Sequence, residues 1–163
     1  MDKMNKRIHS SQLQELAVQA SAADRRRTHL NTHDSPDAEV QRLFIATSPD
    51  TYIRPHRHSE AHKWEFFMIL EGRMDLLIFG SDGEILERCR MSPDDTRAVE
   101  IPSGQWHSYV CCQPGTIALE VKQGSYIPVS EPDLAPWAPA ENSAQCQSFL
   151  GWMRTAPVGS VPG

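Results

Sequence analysis

The sequence predicts one mainly β domain, a barrel or sandwich with a short helix before it and another after it. Two observations carry that expectation. Short apolar segments recur at short intervals with turn-forming residues between them, the pattern of antiparallel all-β folds. Nowhere do strands and helices alternate, which excludes a parallel doubly wound sheet. At 163 residues, with 39% apolar and 23% charged positions, the chain is long enough to bury one core.

Residues 10–24 read as a helix, since Leu13, Leu16, Ala17 and Ala20 recur on one face and Ser10 or Ser11 can cap it. In the polar stretch that follows, Arg27, His29, Asn31 and His33 alternate with period two, as in an extended arm with one polar face. Val40 to Ala46 is the first strand of the barrel, closed by Ser48-Pro49-Asp50. Thr51 to His58 is a second, with Pro55 marking an edge or bulge. Trp64 to Leu70 and Arg73 to Phe79 flank a Glu71-Gly72 turn, and Gly80-Ser81-Asp82-Gly83 makes a hairpin into Glu84 to Cys89. Ala98 to Ile101, Trp106 to Cys112 and Thr116 to Lys122 complete the set. Beyond Tyr126 the chain is rich in proline and is expected to wrap over the barrel, anchored by Leu134 and Trp137. Asn142 or Ser143 can cap a last helix carrying Phe149, Leu150 and Met153. The division expected is an arm over 1–36, a barrel over 37–127, a wrap and helix over 128–155, and a disordered tail over 156–163.

Composition excludes several functions. A net charge of −5 argues against a nucleic-acid surface, and the one basic run, Arg25-Arg26-Arg27, reads first as a solvated helix end and second as an anion site. No segment reaches membrane-spanning length and the N-terminus lacks an apolar signal core, so a cytoplasmic setting is expected. Cys89, Cys111, Cys112 and Cys146 form no CxxC pair, so neither a zinc ribbon nor a disulfide framework fits.

The chemistry lies in His56, His58, Glu65 and His107. Residues two apart on a strand share a face about 6.5 Å apart, so the His56 and His58 imidazoles can converge on one ion. Glu65 opens the next strand, and His107 follows the tight turn Pro102-Ser103-Gly104. Three nitrogens and one carboxylate suit a divalent Zn, Fe, Mn, Ni or Co ion. Six residues separate His58 from Glu65, and that insertion holds Glu60 and His62, either of which can take the place of Glu65.

His56-x-His58, then Glu65, then Gly72 resembles the first cupin motif, and Pro102-x-Gly104-x-x-His107 resembles the second. The resemblance implies a double-stranded β-helix, or jelly-roll barrel, in which these histidines and the glutamate hold the metal. The segments TYIRPHRH, KWEFFMILEGRMDLLIFGSDG, VEIPSGQWHSYV and ALEVKQGSYIP are similar to the WbuC-type cupin fold metalloproteins of bacteria, a likeness running from Arg27 to Glu141. Members of that family are often encoded near genes for O-antigen or other surface-polysaccharide synthesis, which implies a sugar-derived or nucleotide-sugar-related substrate.

Around the motifs, Tyr52 and Arg54 are in phase with His56 and His58, which makes Arg54 a candidate anion clamp. Glu120 and Lys122 share one face of a strand expected beside that of His107. Glu120 and Tyr126 are the candidate catalytic acid–base groups; Arg54, Lys122, His33 and Asn31 are candidates for substrate binding, the last two if the arm crosses the barrel mouth. Three activities compete: a metal-dependent isomerase or epimerase, an Fe(II) dioxygenase, and a metal-stabilised sugar-binding module without turnover. Open β-edges favour a homodimer.

Overall fold

The structure is a computed structural model and describes residues 5–163. Helix α1 (Ser10–Ala22) leads into strands β1 (Arg27–Asn31), β2 (Val40–Thr47), β3 (Glu65–Glu71), β4 (Met74–Phe79), β5 (Ile85–Met91), β6 (Ala98–Ile101), β7 (Trp106–Cys111) and β8 (Thr116–Gln123), and helix α2 (Cys146–Thr155) follows. Two antiparallel sheets face each other. One has the order β1-β2-β8-β3-β6 and the other β5-β4-β7. This is the antiparallel β-barrel the sequence predicts, with one helix before the strands and one after them.

Alternation along the strands decides what lies between the sheets. On β3, Glu65, Phe67 and Ile69 are buried while the intervening side chains are less so. Phe67 and Ile69 join Met74, Leu76, Met91, Ile101 and Tyr109 in the barrel core, and Phe67 stacks on Tyr109 with ring centroids 4.1 Å apart. Burying each of the larger of these side chains contributes about 1.5–3 kcal/mol. Both helices pack outside. Leu16 and Ala20 of α1 cover Ala46 and Ile117, and Leu150 and Met153 of α2 cover Leu77, Phe79 and Val110.

Several expectations are corrected. Thr51 to His58 does not form a ladder strand: Pro55 has no N–H, and the segment is held by scattered bonds instead. His56 exchanges both backbone hydrogen bonds with His107, at 3.0 and 2.9 Å, Ala135 N–H donates to the Pro55 carbonyl, and Ser108 Oγ donates to that of Ile53. The regular phase fails with the ladder, so Tyr52 turns into the core beneath α2 and donates its hydroxyl proton to the Pro139 carbonyl. The helices are preceded by His9 and Gln145 rather than by Ser10, Ser11, Asn142 or Ser143. Residues 156–163, expected to be disordered, lie along β5, where Ile85 N–H donates to the Ser160 carbonyl and Gly159 N–H to that of Ile85. An edge strand leaves such groups unpaired, and the tail satisfies them. Finally, β8 neighbours β3 rather than β7: Lys122 pairs with Glu65 and Phe67 with Glu120.

Candidate metal centre

Three segments bring the four ligand candidates together. The 51–58 segment carries His56 and His58, the first residue of β3 is Glu65, and β7 supplies His107 from the opposite sheet. One ligand atom from each lies within 4.8 Å of all the others. Atoms about 2.0–2.2 Å from a common ion sit roughly 3–4.3 Å apart, so contraction of about half an ångström would close the set. Glu65 Oε2 is 2.8 Å from His107 Nε2 and 3.3 Å from His58 Nε2. Glu60 and His62 are exposed, pair with each other at 3.7 Å, and lie outside this cluster.

The hydrogen bonding fits a cation. His56 Nδ1 lies 3.0 Å from the Arg54 carbonyl and His107 Nδ1 lies 2.8 Å from the Gln105 carbonyl. A carbonyl only accepts, so each Nδ1 carries the proton and each Nε2 keeps its lone pair for the centre. His58 Nε2, His107 Nε2 and Glu65 Oε2 are buried and, despite their proximity, aligned for no hydrogen bond. Leaving such atoms unpaired costs about 1–3 kcal/mol each. A divalent ion would satisfy all of them at once.

Electrostatics ties these groups to one another: against burial, which would lower it, Glu65 raises the His107 imidazole, so a cation, whether a proton or an ion, is favoured beside this carboxylate. Burial and the neighbouring His107 push His56 down to about 3, which keeps this imidazole neutral. Burial would raise Glu65, but His107, His58 and Lys122 outweigh it and hold the carboxyl well below its usual range. Lys122 lies 3.8 Å from Glu65 and 2.6 Å from Glu120. Burial opposes its charge, yet the two carboxylates raise it, so Lys122 stays an ammonium. Glu120 is raised, first by burial and then by Glu65 against the pull of Lys122.

A cavity of about 500 Å³ opens in front of the imidazoles, within the range of small-molecule sites. His56, His58, Arg54, Lys122 and Tyr126 line it. Glu120 is not on its wall and reaches it only through Lys122. Asn31 and His33 are not there either, which corrects their placement at the mouth. The arm turns back along β2 instead: Asn31 pairs with Leu43, Thr32 N–H donates to the Arg42 carbonyl, and His33 Nδ1 packs on the Arg42 backbone. The cavity is also lined by Arg25, Arg27, Lys63, Glu141 and the 123–129 segment, none of which belongs to the two cupin motifs themselves. The family-like segments cover Lys63 and 123–128, and the arginine run contributes the rest: Arg25 and Arg27 turn to Glu141 while Arg26 turns away to Asp50.

Residues 8–91, 84 of 163, match the model of the family described as Domain of unknown function (DUF6016). The chain belongs to that family. No curated protein matches this DUF6016 chain. Among solved structures it is similar to CapF, crystallised with the inhibitor 3-isopropenyl-tropolone, at 19% identity and a TM-score of 0.54 over 65% of this chain and 30% of that one. A cupin 2 domain-containing protein from Halorhodospira halophila gives 14% identity and a TM-score of 0.50, covering 66% and 70%. These likenesses establish the fold: the DUF6016 chain is a cupin barrel. No helix among the described residues is long and apolar enough to cross a membrane.

Proposed function

We propose that this chain is a metal-dependent enzyme of the WbuC type, acting on a small polar, carbohydrate-derived molecule in surface-polysaccharide metabolism. The observation that supports it is a convergent set of three imidazoles and a carboxylate, Glu65 and His107 buried and His56 and His58 half-buried, with unpaired atoms on His58, Glu65 and His107, beside a ligand-sized cavity. His56, His58, Glu65 and His107 would hold one Zn, Fe, Mn or Ni ion. When bound, such an ion supplies Lewis-acid polarisation of a substrate oxygen, which suits isomerisation or epimerisation next to a carbonyl.

The chain's own groups would do the rest. Lys122, kept charged by Glu120 and Glu65, places a fixed positive charge on the cavity wall beside the ligand set. Glu120 acts as the positioning residue for that ammonium. Tyr126 stands on the same wall with its phenol open to solvent, and is the group we assign to proton exchange with the substrate. Arg54 orients the distal end. A homodimer in the cytoplasm is the setting this reading assumes.

Elemental analysis of untagged protein prepared without chelators tests the first half. Near-stoichiometric metal in wild type, absent from His58→Ala and His107→Ala, supports it; none after reconstitution refutes it. Incubation of the loaded protein with a panel of sugars in deuterated water tests the second, with deuterium entering beside the carbonyl as the expected result. The same donor set also suits Fe(II) and oxygen, so substrate-dependent oxygen uptake without deuterium exchange would move the assignment to a dioxygenase.

A further inference from the structure

The cavity in front of the imidazoles is cationic although the whole chain carries −5. Arg25, Arg27, Arg54, Lys63 and Lys122 line it against one carboxylate, Glu141. Five of the chain's 16 lysines and arginines thus face a single small volume. A cleft lined by one sign of charge concentrates ligands of the other.

These cations differ in how far the protein already satisfies them. Arg25 and Arg27 share Glu141, at 2.9 and 3.0 Å from Arg25 and 2.5 Å from Arg27. Arg27 also bonds Thr51 Oγ1 and the Tyr52 carbonyl, so this pair clasps β1 to the wrap. Lys122 is committed to Glu120. Arg54 and Lys63 are different. Nε and Nη2 of Arg54 both donate to the Ala135 carbonyl, which fixes the guanidinium plane. Its Nη1 meets, among the described residues, Glu131 at 3.5 Å, on a side chain 69% exposed. The Lys63 ammonium meets Glu60 at 3.1 Å, and that carboxylate too is half exposed. In each pair the cation is held inside the wall while its carboxylate partner is open to solvent, so an incoming anion can take that carboxylate's place.

We propose that the ligand of this cavity is an oxyanion, a sugar phosphate or sugar acid whose charged group is held by Arg54 and Lys63 while its uncharged end faces the imidazole cluster. The inference rests on reading the cavity as the substrate site and adds the class of substrate. A guanidinium held in plane presents its remaining donors to an oxyanion in a set direction, and the lysine adds a point charge without directional demand.

Calorimetric titration of the full chain with D-glucose, D-glucuronate and D-glucose 6-phosphate tests this, on metal-stripped and metal-loaded samples. The expected result is that at least one of the two anions binds about tenfold or more tighter than glucose, with an advantage that shrinks as salt rises. Arg54→Gln and Lys63→Gln should each remove most of that advantage, and Lys63→Arg should restore it. Because Arg54 also ties down Ala135, the Lys63 pair decides the matter if Arg54→Gln is poorly folded. Equal binding of glucose and both anions, or a preference that survives Lys63→Gln, overturns the proposal. Which anion wins separates phosphate from carboxylate. Metal measured in the same samples keeps the two readings apart: metal without anion preference refutes this inference alone, and anion preference without metal refutes the metal enzyme alone.

Discussion

Two groups of charged side chains are tucked into this fold, and they are finished to different degrees. Under α2, Arg88 donates to Asp75 at 2.8 Å, to the Met153 carbonyl at 2.6 Å and to the Ala156 carbonyl at 2.8 Å. Charge and donors there are met from within the chain. At the other group, Glu65 and three imidazoles crowd together, and the converging atoms of Glu65, His58 and His107 have no hydrogen-bond partner. A cluster completed by the chain ties elements together, whereas one left incomplete requires something from outside. Burial and charge are common to both, so hydrogen-bond satisfaction is what separates the structural cluster from the functional one.

The largest effect should come from breaking the finished cluster. Arg88→Met strands the Asp75 carboxylate and frees two carbonyls at the end of α2. It should cost about 3–5 kcal/mol in urea unfolding while metal content per folded molecule stays unchanged. A loss at the metal site instead would mean that the two clusters are not independent. Next in size is completion of the unfinished one. Titrating the fitting divalent ion into stripped protein should raise stability by about 2.7 kcal/mol at a hundredfold excess over Kd, and His107→Ala should abolish the rise. A rise that persists in that variant would place the ion elsewhere.

The smallest effect is a local readout of the finished side. Burial and the adjacent Asp75 push the Cys112 thiol up to about 11. A raised folded-state value means that the folded protein holds this proton longer than the unfolded chain. Its contribution to stability is therefore complete below about 9 and is lost between about 9 and 11 as pH rises. Alkylation of Cys112 at pH 8 should accordingly be slow beside a free thiol, accelerating only towards pH 11. A fast reaction at pH 8 would show that Asp75 exerts no such influence.

Much of this was legible in the residues. The Gly80–Gly83 hairpin and the strand alternation around Phe67 follow from local rules that hold wherever one face is buried. The four ligand candidates were legible because their spacing is itself a consequence of the barrel. What was not legible depends on pairing across long separations. Nothing near Pro55 says that its carbonyl will meet Ala135, and nothing in 156–163 says that β5 will have an open edge for it. The cavity mouth was hidden for the same reason: Arg25, Lys63 and Glu141 meet only after the chain has closed on itself. Asn31 and His33 lay on the expected polar face, but the turn into β2 carried them away from the mouth.

The bonds around His56 have a dynamic consequence. Its segment is stitched to His107 on one side and, through Pro55 and Arg57, to Ala135 and Asp133 on the other. A candidate ligand histidine and the wall of the cavity therefore share one set of backbone hydrogen bonds. The amides of His56, Arg57, His107 and Ala135 should exchange with solvent as a single cooperative unit. The breathing motion that loosens the wrap would then be the same motion that loosens the grip on a bound ion.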